Sequence, residues 1–130
     1  MSAVEVGTQL PELTANASLA TSVAYAGASG DLNPLHYDPS FAANVSPTGG
    51  IIAHGMYSMG LASRLLTEFA GSPEQVVELK VRFTKPWPLG ASATFTGKVT
   101  AFANGVATVA LAGTAENGDK VLKGTGRIKV

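Results

Sequence analysis

The stretch from Ala53 to Ala70 limits the fold more than any other part of the sequence. Its composition predicts a helix closed by Gly71, with Arg64 and Glu68 spaced to form an i,i+4 ion pair near its end. The first half of this helix, residues 56–62, carries no charged side chain on any face. A helix that is apolar all round is normally buried, so we predict a fold built around this one helix.

After this helix the hydrophobic pattern changes to a period of two. Apolar and polar residues alternate from residue 77 to 84, and the sequence Pro-Trp-Pro then ends this predicted strand. Three further strands are predicted at residues 91–101, 106–115 and 120–130. Asn104-Gly105 and Asn117-Gly118 lie between them and favour tight hairpin turns. The pattern predicts one α+β domain over residues 1–130, with a four-stranded antiparallel meander wrapped around the helix.

The part of the chain before the central helix has shorter elements. Residues 4–13 are interpreted as a short strand or extended arm. Ser18 is a suitable N-cap for a helix from about Leu19 to Ala28, and Pro39 begins a short helical turn that extends to Asn44. Loops are predicted between these helices.

Composition excludes several classes of protein. The chain has 130 residues, of which 45% are hydrophobic and 14% charged, as is typical of one globular domain. It has no cysteine, which excludes disulfides and thiolate chemistry. The apolar runs are too short to cross a membrane, and no basic residue opens the N-terminus. We therefore expect a cytoplasmic protein without a membrane partner.

Charge is distributed unevenly along the chain. Residues 1–63 hold four acids and no Lys or Arg, whereas residues 64–130 hold nine bases and five acids, so the halves carry −4 and +4. The bases can simply form the solvated faces of strands. Alternatively, they form a basic rim that attracts a phosphate-bearing ligand or an acidic protein. A nucleic-acid partner is not expected, because the net charge is zero and aromatic residues are few.

The loop around Asp31 indicates chemistry. Asp31 and Asp38 are the only formally charged residues between Leu13 and Ser63, and His36 follows five residues after Asp31. We expect this acid to be buried, and a buried carboxylate without a cationic neighbour gains no stability from its position. The Gly and Pro residues around Asp31 predict an ordered loop that aims the Asp31 and His36 side chains at one point.

Two segments carry a resemblance to a known family. The sequence Tyr-Ala-Gly-Ala-Ser-Gly-Asp-Leu-Asn-Pro-Leu-His-Tyr-Asp at residues 25–38, with Ile-Ala-His-Gly-Met at residues 52–56, resembles the hydratase 2 motif of MaoC-like (R)-specific enoyl-CoA hydratases. Residues 53–56, 59–60 and 81–84 resemble the B subunit of the mycobacterial-type (3R)-hydroxyacyl-acyl carrier protein dehydratase. The resemblance covers nearly the whole chain and implies the hot-dog fold.

The resemblance implies reversible addition of water to a trans-2-enoyl thioester of CoA or acyl carrier protein, giving the (3R)-hydroxyacyl thioester without a cofactor. Asp31 and His36 would act together on one water, and the Gly55 N–H would stabilise the enolate oxygen. Asn33 would support this geometry, although it can also simply shape the turn or act directly. Ser63 would either hydrogen-bond at the active site or serve only in helix packing.

Five other residues are assigned to the pocket wall, to carrier binding or to a structural role. Tyr25 and Met56 are predicted to form the pocket wall, and Arg82 or Lys85 to meet the phosphates of the thioester carrier. His54 is interpreted as a structural residue, satisfied near the helix start.

A metal site is not predicted. The candidate ligands would be Asp31, His36, Asp38 and His54. Asp38 precedes a proline turn, and no two of these residues have the i,i+4 spacing that places two ligands on one face of a helix.

Plainer interpretations and other functions stay open. Asp31 can be a loop cap and His36 a solvated surface histidine. A hot-dog thioesterase would share the fold and substrate class but hydrolyse the C–S bond. An accessory subunit, or one active only in a heterodimer, would bind acyl chains or a partner. Because one sheet around one helix leaves a strand edge and an apolar face, we expect a homodimer or a heterodimer with a related hot-dog subunit.

Overall fold

A computed structural model describes residues 4–130, so the first three residues of the predicted domain lie outside the described part. The helices are α1 (Leu19–Ser29), α2 (Pro39–Val45) and α3 (Gly55–Ala70), with 3-10 turns at Pro34–His36 and Pro73–Gln75. The strands are β1 (Leu13–Asn16), β2 (Val76–Phe83), β3 (Ser92–Ala103), β4 (Val106–Ala115) and β5 (Lys120–Lys129). None of the described helices is long and apolar enough to cross a lipid bilayer.

The five strands form one antiparallel sheet in the order β1-β3-β4-β5-β2, packed on α3. This is the predicted α+β hot-dog architecture. The predicted four-stranded meander is wrong, because β2 pairs with β5 at the far edge rather than with β3. Tight turns force β3, β4 and β5 to pair in sequence, whereas the longer proline-rich connection after β2 lets the chain cross to the other side of the sheet. The extra strand β1 pairs with β3 and begins at Leu13, the last residue of the predicted segment 4–13.

Helix α3 packs one face into the core. Its buried residues are Ser58, Leu61, Ala62, Leu65, Leu66 and Ala70. Gly126 of β5 makes room for Leu66, since a Cβ at this glycine would lie 2.4 Å from a Leu66 methyl carbon. Met56 is 57% exposed, so the expectation that α3 is buried on every side is wrong for the single chain.

Helix ends follow the sequence signals. The Ser18 hydroxyl accepts a hydrogen bond from the Thr21 N–H at 3.1 Å, as an N-cap should. Gly71 ends α3 with a left-handed φ of 99°. The start of α3 is Gly55 rather than Ala53, and His54 occupies the N-cap position without using its side chain as a cap.

Strand β2 is an exposed edge. The predicted alternation would bury Val77 and Phe83, but they are 46% and 47% exposed. The half-buried residues of this strand are Val76, Glu78, Leu79 and Val81. A register shift between Val76 and Glu78 interrupts the alternation. Among the described residues, no strand pairs with the outer side of β2.

Candidate active site

The loop after α1 is held by short-range hydrogen bonds. The Ser29 hydroxyl accepts from the Asp31 N–H at 3.2 Å, and Asp31 Oδ1 accepts from the Asn33 N–H at 3.3 Å. Asn33 Oδ1 in turn accepts from the Leu35 N–H at 3.0 Å and caps the turn Pro34–His36. The loop is therefore ordered, and the Asn33 side chain shapes the turn that delivers His36.

Hydrogen bonding fixes the tautomer of His36. Its Nδ1 lies 2.8 Å from the carbonyl oxygen of Ile52, and a carbonyl can only accept, so Nδ1 carries the hydrogen. The neutral ring then presents a lone pair at Nε2, which is 3.9 Å from Asp31 Oδ2. This separation exceeds a hydrogen bond, but a water about 2.8 Å from each atom would bridge them.

Asp31 itself is less buried than the sequence indicated. Its side chain is 51% exposed in the single chain, whereas the His36 side chain is 12% exposed. The expectation of a buried carboxylate is therefore wrong for the isolated chain, because the loop lies at the surface. Solvent reaches Asp31 from one side and the histidines lie on the other.

His54 lies behind both predicted reagents. Its side chain is 2% exposed, and its Nε2 is 3.2 Å from the carbonyl oxygen of Asp31 and 3.9 Å from Asp31 Oδ2. Its ring stacks on His36 with centroids 3.9 Å apart and contacts the Tyr25 ring at 4.7 Å. No described residue gives its Nδ1 a hydrogen-bond partner. The prediction that His54 is satisfied is therefore wrong for this nitrogen.

Burial lowers the pKa of His54 below its usual 6.5, and the neighbouring His36 acts in the same direction. The hydrogen bond and the charge of Asp31 act in the opposite direction.

The lowered pKa of His54 predicts a dependence of stability on pH. Below pH 6.5 the unfolded chain binds a proton at His54 more readily than the folded chain does. We expect the free energy of unfolding to fall as pH falls below 6.5, by at most about 1.4 kcal/mol per pH unit. Urea unfolding between pH 7.5 and 5.5 measures this slope. It should shrink in His54→Phe, and an equal slope in both chains would contradict the prediction.

Three side chains here have the composition of a metal site. One ligand atom each from Asp31, His36 and His54 lie within 4.8 Å of one another. Asp38 is elsewhere, because its carboxylate caps α2 by accepting from the Ser40 and Phe41 N–H groups. A hydrogen on His54 Nε2 donates to the Asp31 carbonyl, so this nitrogen cannot also ligate a metal. The hydrogen bonding thus fits a water between Asp31 and His36 better than a metal.

A cavity of about 340 Å³ opens beside the histidines at the start of α3. Its wall is formed by His36, Ile52, Ala53, His54, Gly55, Ser58, Phe83, Thr84, Lys85, Pro86, Trp87 and Val121. Gly55 begins α3, so its N–H has no acceptor inside the helix and lies at the positive end of the helix dipole. The Phe83 ring lies 3.1 Å from where a Gly55 Cβ would be, which leaves no room for a larger residue without movement.

The predicted site residues are only partly brought together. His36, Gly55 and Lys85 line the cavity, and Asp31 lies next to it through its approach to the two histidines. Arg82 lines a separate surface depression with Lys80 and Lys123, and Thr84 belongs to both.

Asn33 lies outside the cavity wall, at the start of the turn Pro34–His36, and three more of the predicted residues also lie outside this wall. Tyr25 packs behind His54, Met56 points outward, and Ser63 is half-buried further along α3.

Sequence reasoning missed Ser58. It is 3% exposed, lines the cavity one turn after Gly55, and donates a hydrogen bond to the Gly55 carbonyl oxygen at 2.7 Å. The available signal was a small hydroxyl residue inside the uncharged half of α3. Phe83 and Trp87 were also missed as cavity wall, because strand alternation does not reveal what lies beyond a strand end.

Comparisons with known proteins agree with this architecture. The model of the family described as "MaoC like domain" matches residues 4–120. The 3-oxo-4,17-pregnadiene-20-carboxyl-CoA hydratase beta subunit of Mycobacterium tuberculosis is 31% identical over 116 residues, covering 89% of each chain. A peroxisomal hydratase-dehydrogenase-epimerase of Saccharomyces cerevisiae is 49% identical over 57 residues, covering 43% of this chain. The chain spans only 6% of that relative, and 3% of a matching fatty acid synthase subunit beta from Schizosaccharomyces pombe.

Solved structures match over the full chain. The (R)-hydratase from A. caviae involved in PHA biosynthesis superimposes with a TM-score of 0.90 at 28% identity, covering 100% of this chain and 99% of that one. The ChsH1–ChsH2 complex of Mycobacterium tuberculosis contains a chain that matches with a TM-score of 0.88 at 27% identity, covering 98% and 99%.

Proposed function

The chain belongs to the MaoC-like domain family, and on that premise we propose that it is a hydro-lyase of fatty acid metabolism. It would add water reversibly to trans-2-enoyl thioesters of CoA or acyl carrier protein and form (3R)-hydroxyacyl thioesters. One observation carries this proposal: the Nε2 lone pair of His36 faces Asp31 Oδ2 at 3.9 Å, beside a cavity at the start of α3.

A water between these two groups has the reagents that hydration requires. Asp31 orients the water by accepting one hydrogen, and His36 Nε2 removes a proton as the water oxygen attacks C3 of the enoyl group. The resulting imidazolium returns a proton to C2. Because one water and one pair of side chains serve both carbons, the elements of water add to the same face. Dehydration is the reverse sequence.

The charge that develops on the thioester oxygen needs a donor. The Gly55 N–H at the first position of α3 is free of helical partners and lies in the cavity wall. A thioester carbonyl against this N–H would place the enolate oxygen at the positive end of the helix dipole. This scheme uses no cofactor or metal, and a cytoplasmic location stays a prediction from the sequence.

Crotonyl-CoA tests the proposal directly. Loss of the enoyl absorbance, with a 3R alcohol on chiral analysis, is the expected result. Release of free thiol without hydration would indicate a thioesterase instead. An inactive pure chain that gains hydratase activity when mixed with a related hot-dog subunit would identify an obligate heterodimer. No turnover under any of these conditions would refute the proposed activity.

We expect the thioester carrier to enter past Lys85. The exposed Lys85 lines the cavity, and Arg82 lies in the neighbouring basic depression, so both would attract the phosphates of CoA or of a carrier protein. Lys85→Glu should raise KM by roughly 5-fold with little change in kcat, and more at low salt because screening is weaker there. Arg82→Glu should have a smaller effect on CoA substrates.

The matched control is Lys98→Glu, an exposed lysine of β3 beside Gln9 and Glu12 in a different surface depression. Its KM should stay at the wild-type value for both CoA and carrier-protein substrates. If Lys85→Glu and Lys98→Glu give the same KM, Lys85 has no role in carrier binding.

We also expect the chain to pair through the open edge of β2. This strand exposes Val77 and Phe83, and Phe83 and Thr84 at its end line the cavity, so a partner there would cover apolar surface and close the site. Light scattering should show a dimer at micromolar concentration, and Val77→Lys should shift it toward monomer. The control Phe102→Lys changes an exposed side chain on β3. A fully active monomer would contradict this prediction, whereas a dimer formed only with a second hot-dog chain would specify the partner.

A further inference from the structure

His54 is the most deeply buried polar side chain at the site, although sequence reasoning gave it no chemical part. It is 2% exposed and contacts both predicted reagents. Its Nε2 reaches the Asp31 carbonyl oxygen at 3.2 Å, and its ring stacks on His36 with an interplanar angle of 26°. Asp31 and His36 belong to the loop, whereas His54 belongs to the start of α3.

Packing of the core alone does not explain these contacts of His54. The His54 side chain does not cap α3, so its position at the helix start does not account for a polar ring. Its Nδ1 is buried without a partner among the described residues, and an unpaired buried polar atom is unfavourable. An apolar ring would fill the same space without that penalty. The ring nitrogen that does have a partner is the one that reaches Asp31.

We propose that His54 is a positioning residue for the water-activating pair, acting as the neutral tautomer with hydrogen on Nε2. Its Nε2–H donates a hydrogen bond to the Asp31 carbonyl oxygen. This bond fixes the position of the residue whose carboxylate orients the water. Its ring supports one face of the His36 imidazole. This role rests on the proposed hydratase function and adds a third side chain, which acts through Asp31 and His36 rather than on the reacting atoms.

The geometry explains why two contacts are needed. The bond from Nδ1 to Ile52 fixes one atom of the His36 ring but leaves rotation about that bond, and the stacked His54 ring restricts it. The hydrogen bond to the Asp31 carbonyl ties an exposed loop to the first turn of α3. Together they keep Asp31 Oδ2 and His36 Nε2 at the 3.9 Å that one water can span.

Two substitutions separate the hydrogen bond from ring packing. His54→Phe keeps a stacked ring but removes the donor, and His54→Gln keeps a donor at similar reach without an aromatic ring. We expect His54→Phe to melt no lower than the wild type, since it removes the unpaired Nδ1. Its kcat should nevertheless fall by at least ~20-fold, while its KM stays within about 2-fold of the wild-type value. His54→Gln should keep kcat within about 5-fold, even where it melts lower.

A merely structural residue would give the opposite pattern, in which activity follows thermal stability. A folded His54→Phe chain with wild-type kcat on crotonyl-CoA would overturn the proposal. So would a His54→Gln chain that is folded yet as inactive as His54→Phe.

A second measurement does not depend on activity. The chain has only two histidines, so long-range ¹H–¹⁵N correlation spectra resolve both rings. We expect hydrogen on Nδ1 for His36 and on Nε2 for His54 at pH 7.5. A cationic His54, or one with hydrogen on Nδ1, would overturn the positioning role whether or not the variants fold. A wild-type chain that shows the expected tautomers but hydrates no enoyl thioester would refute the proposed function. The contacts of His54 would be correct in that case, so this failure differs from failure of the positioning role.

Discussion

Asp31→Asn and His36→Ala should each lower kcat for crotonyl-CoA hydration by at least ~10²-fold, because each removes one of the two groups that we propose to act on the water. The double variant should be scarcely worse than either single variant. Residues that work as one unit lose their whole contribution when either is removed. Enoyl absorbance under saturating substrate measures the three values.

The fold should survive these changes. Neither Asp31 nor His36 belongs to the buried core cluster, and an Asn at position 31 still offers an Oδ1 that accepts from the Asn33 N–H. We expect no gain in stability from Asp31→Asn, because the carboxylate that it removes is 51% exposed and well solvated. Asp31→Asn should therefore melt like the wild type, whereas His36→Ala and the double variant should stay folded but melt lower, because they lose the ring that stacks on His54 and bonds to Ile52. Near-normal kcat in folded Asp31→Asn would remove the mechanism, and additive losses in the double variant would show that the two groups act separately.

Gly124→Ala should lower the free energy of unfolding by roughly 3 kcal/mol, the upper part of the range for overpacking a close contact. Gly124 of β5 lies opposite Val81 of β2, and a Cβ there would lie 2.0 Å from the Lys80 carbonyl oxygen. Backbone cannot move aside as a side chain can, so β2 must separate from β5. Urea unfolding measures the loss.

Gly60→Ala is the matched control, because it adds the same methyl group at an exposed position of α3 with nothing within 4 Å of the new Cβ. Alanine is a better helix former, so this variant should gain about 0.5–1 kcal/mol. If the two variants unfold at the same urea concentration, the close approach of β2 to β5 does not limit stability.

The sequence predicted the elements of this fold better than their arrangement. Caps at Ser18 and Gly71 depend on the residues nearest to them in the chain, and both are confirmed. The Asn104-Gly105 turn has positive φ at both residues, as a tight hairpin requires, whereas at Asn117-Gly118 only the glycine does. The place of β2 beside β5 was missed, because strand order depends on where the chain crosses the sheet.

The candidate site shows the same division. Asp31 and His36 were predicted as partners from a local motif, and the structure brings their reactive atoms to 3.9 Å. The burial of Asp31 was wrong, since absence of charged neighbours in sequence does not show what covers a loop in space. His54 and Ser58 come from another part of the chain, and only the packing of α3 against the loop brings His54 to Asp31.

Two segments of the chain with different proposed roles line the cavity at the start of α3. Residues 31–58 contain the proposed reagents and the proposed oxyanion donor, whereas Phe83, Thr84, Lys85 and Trp87 form the wall that extends from the end of β2 onward. Under the proposed function, mutations in the second segment would alter which acyl chains fit while the first segment stays unchanged. Related chains that share the first segment and differ in the second would then accept different thioesters while they keep the same proposed chemistry.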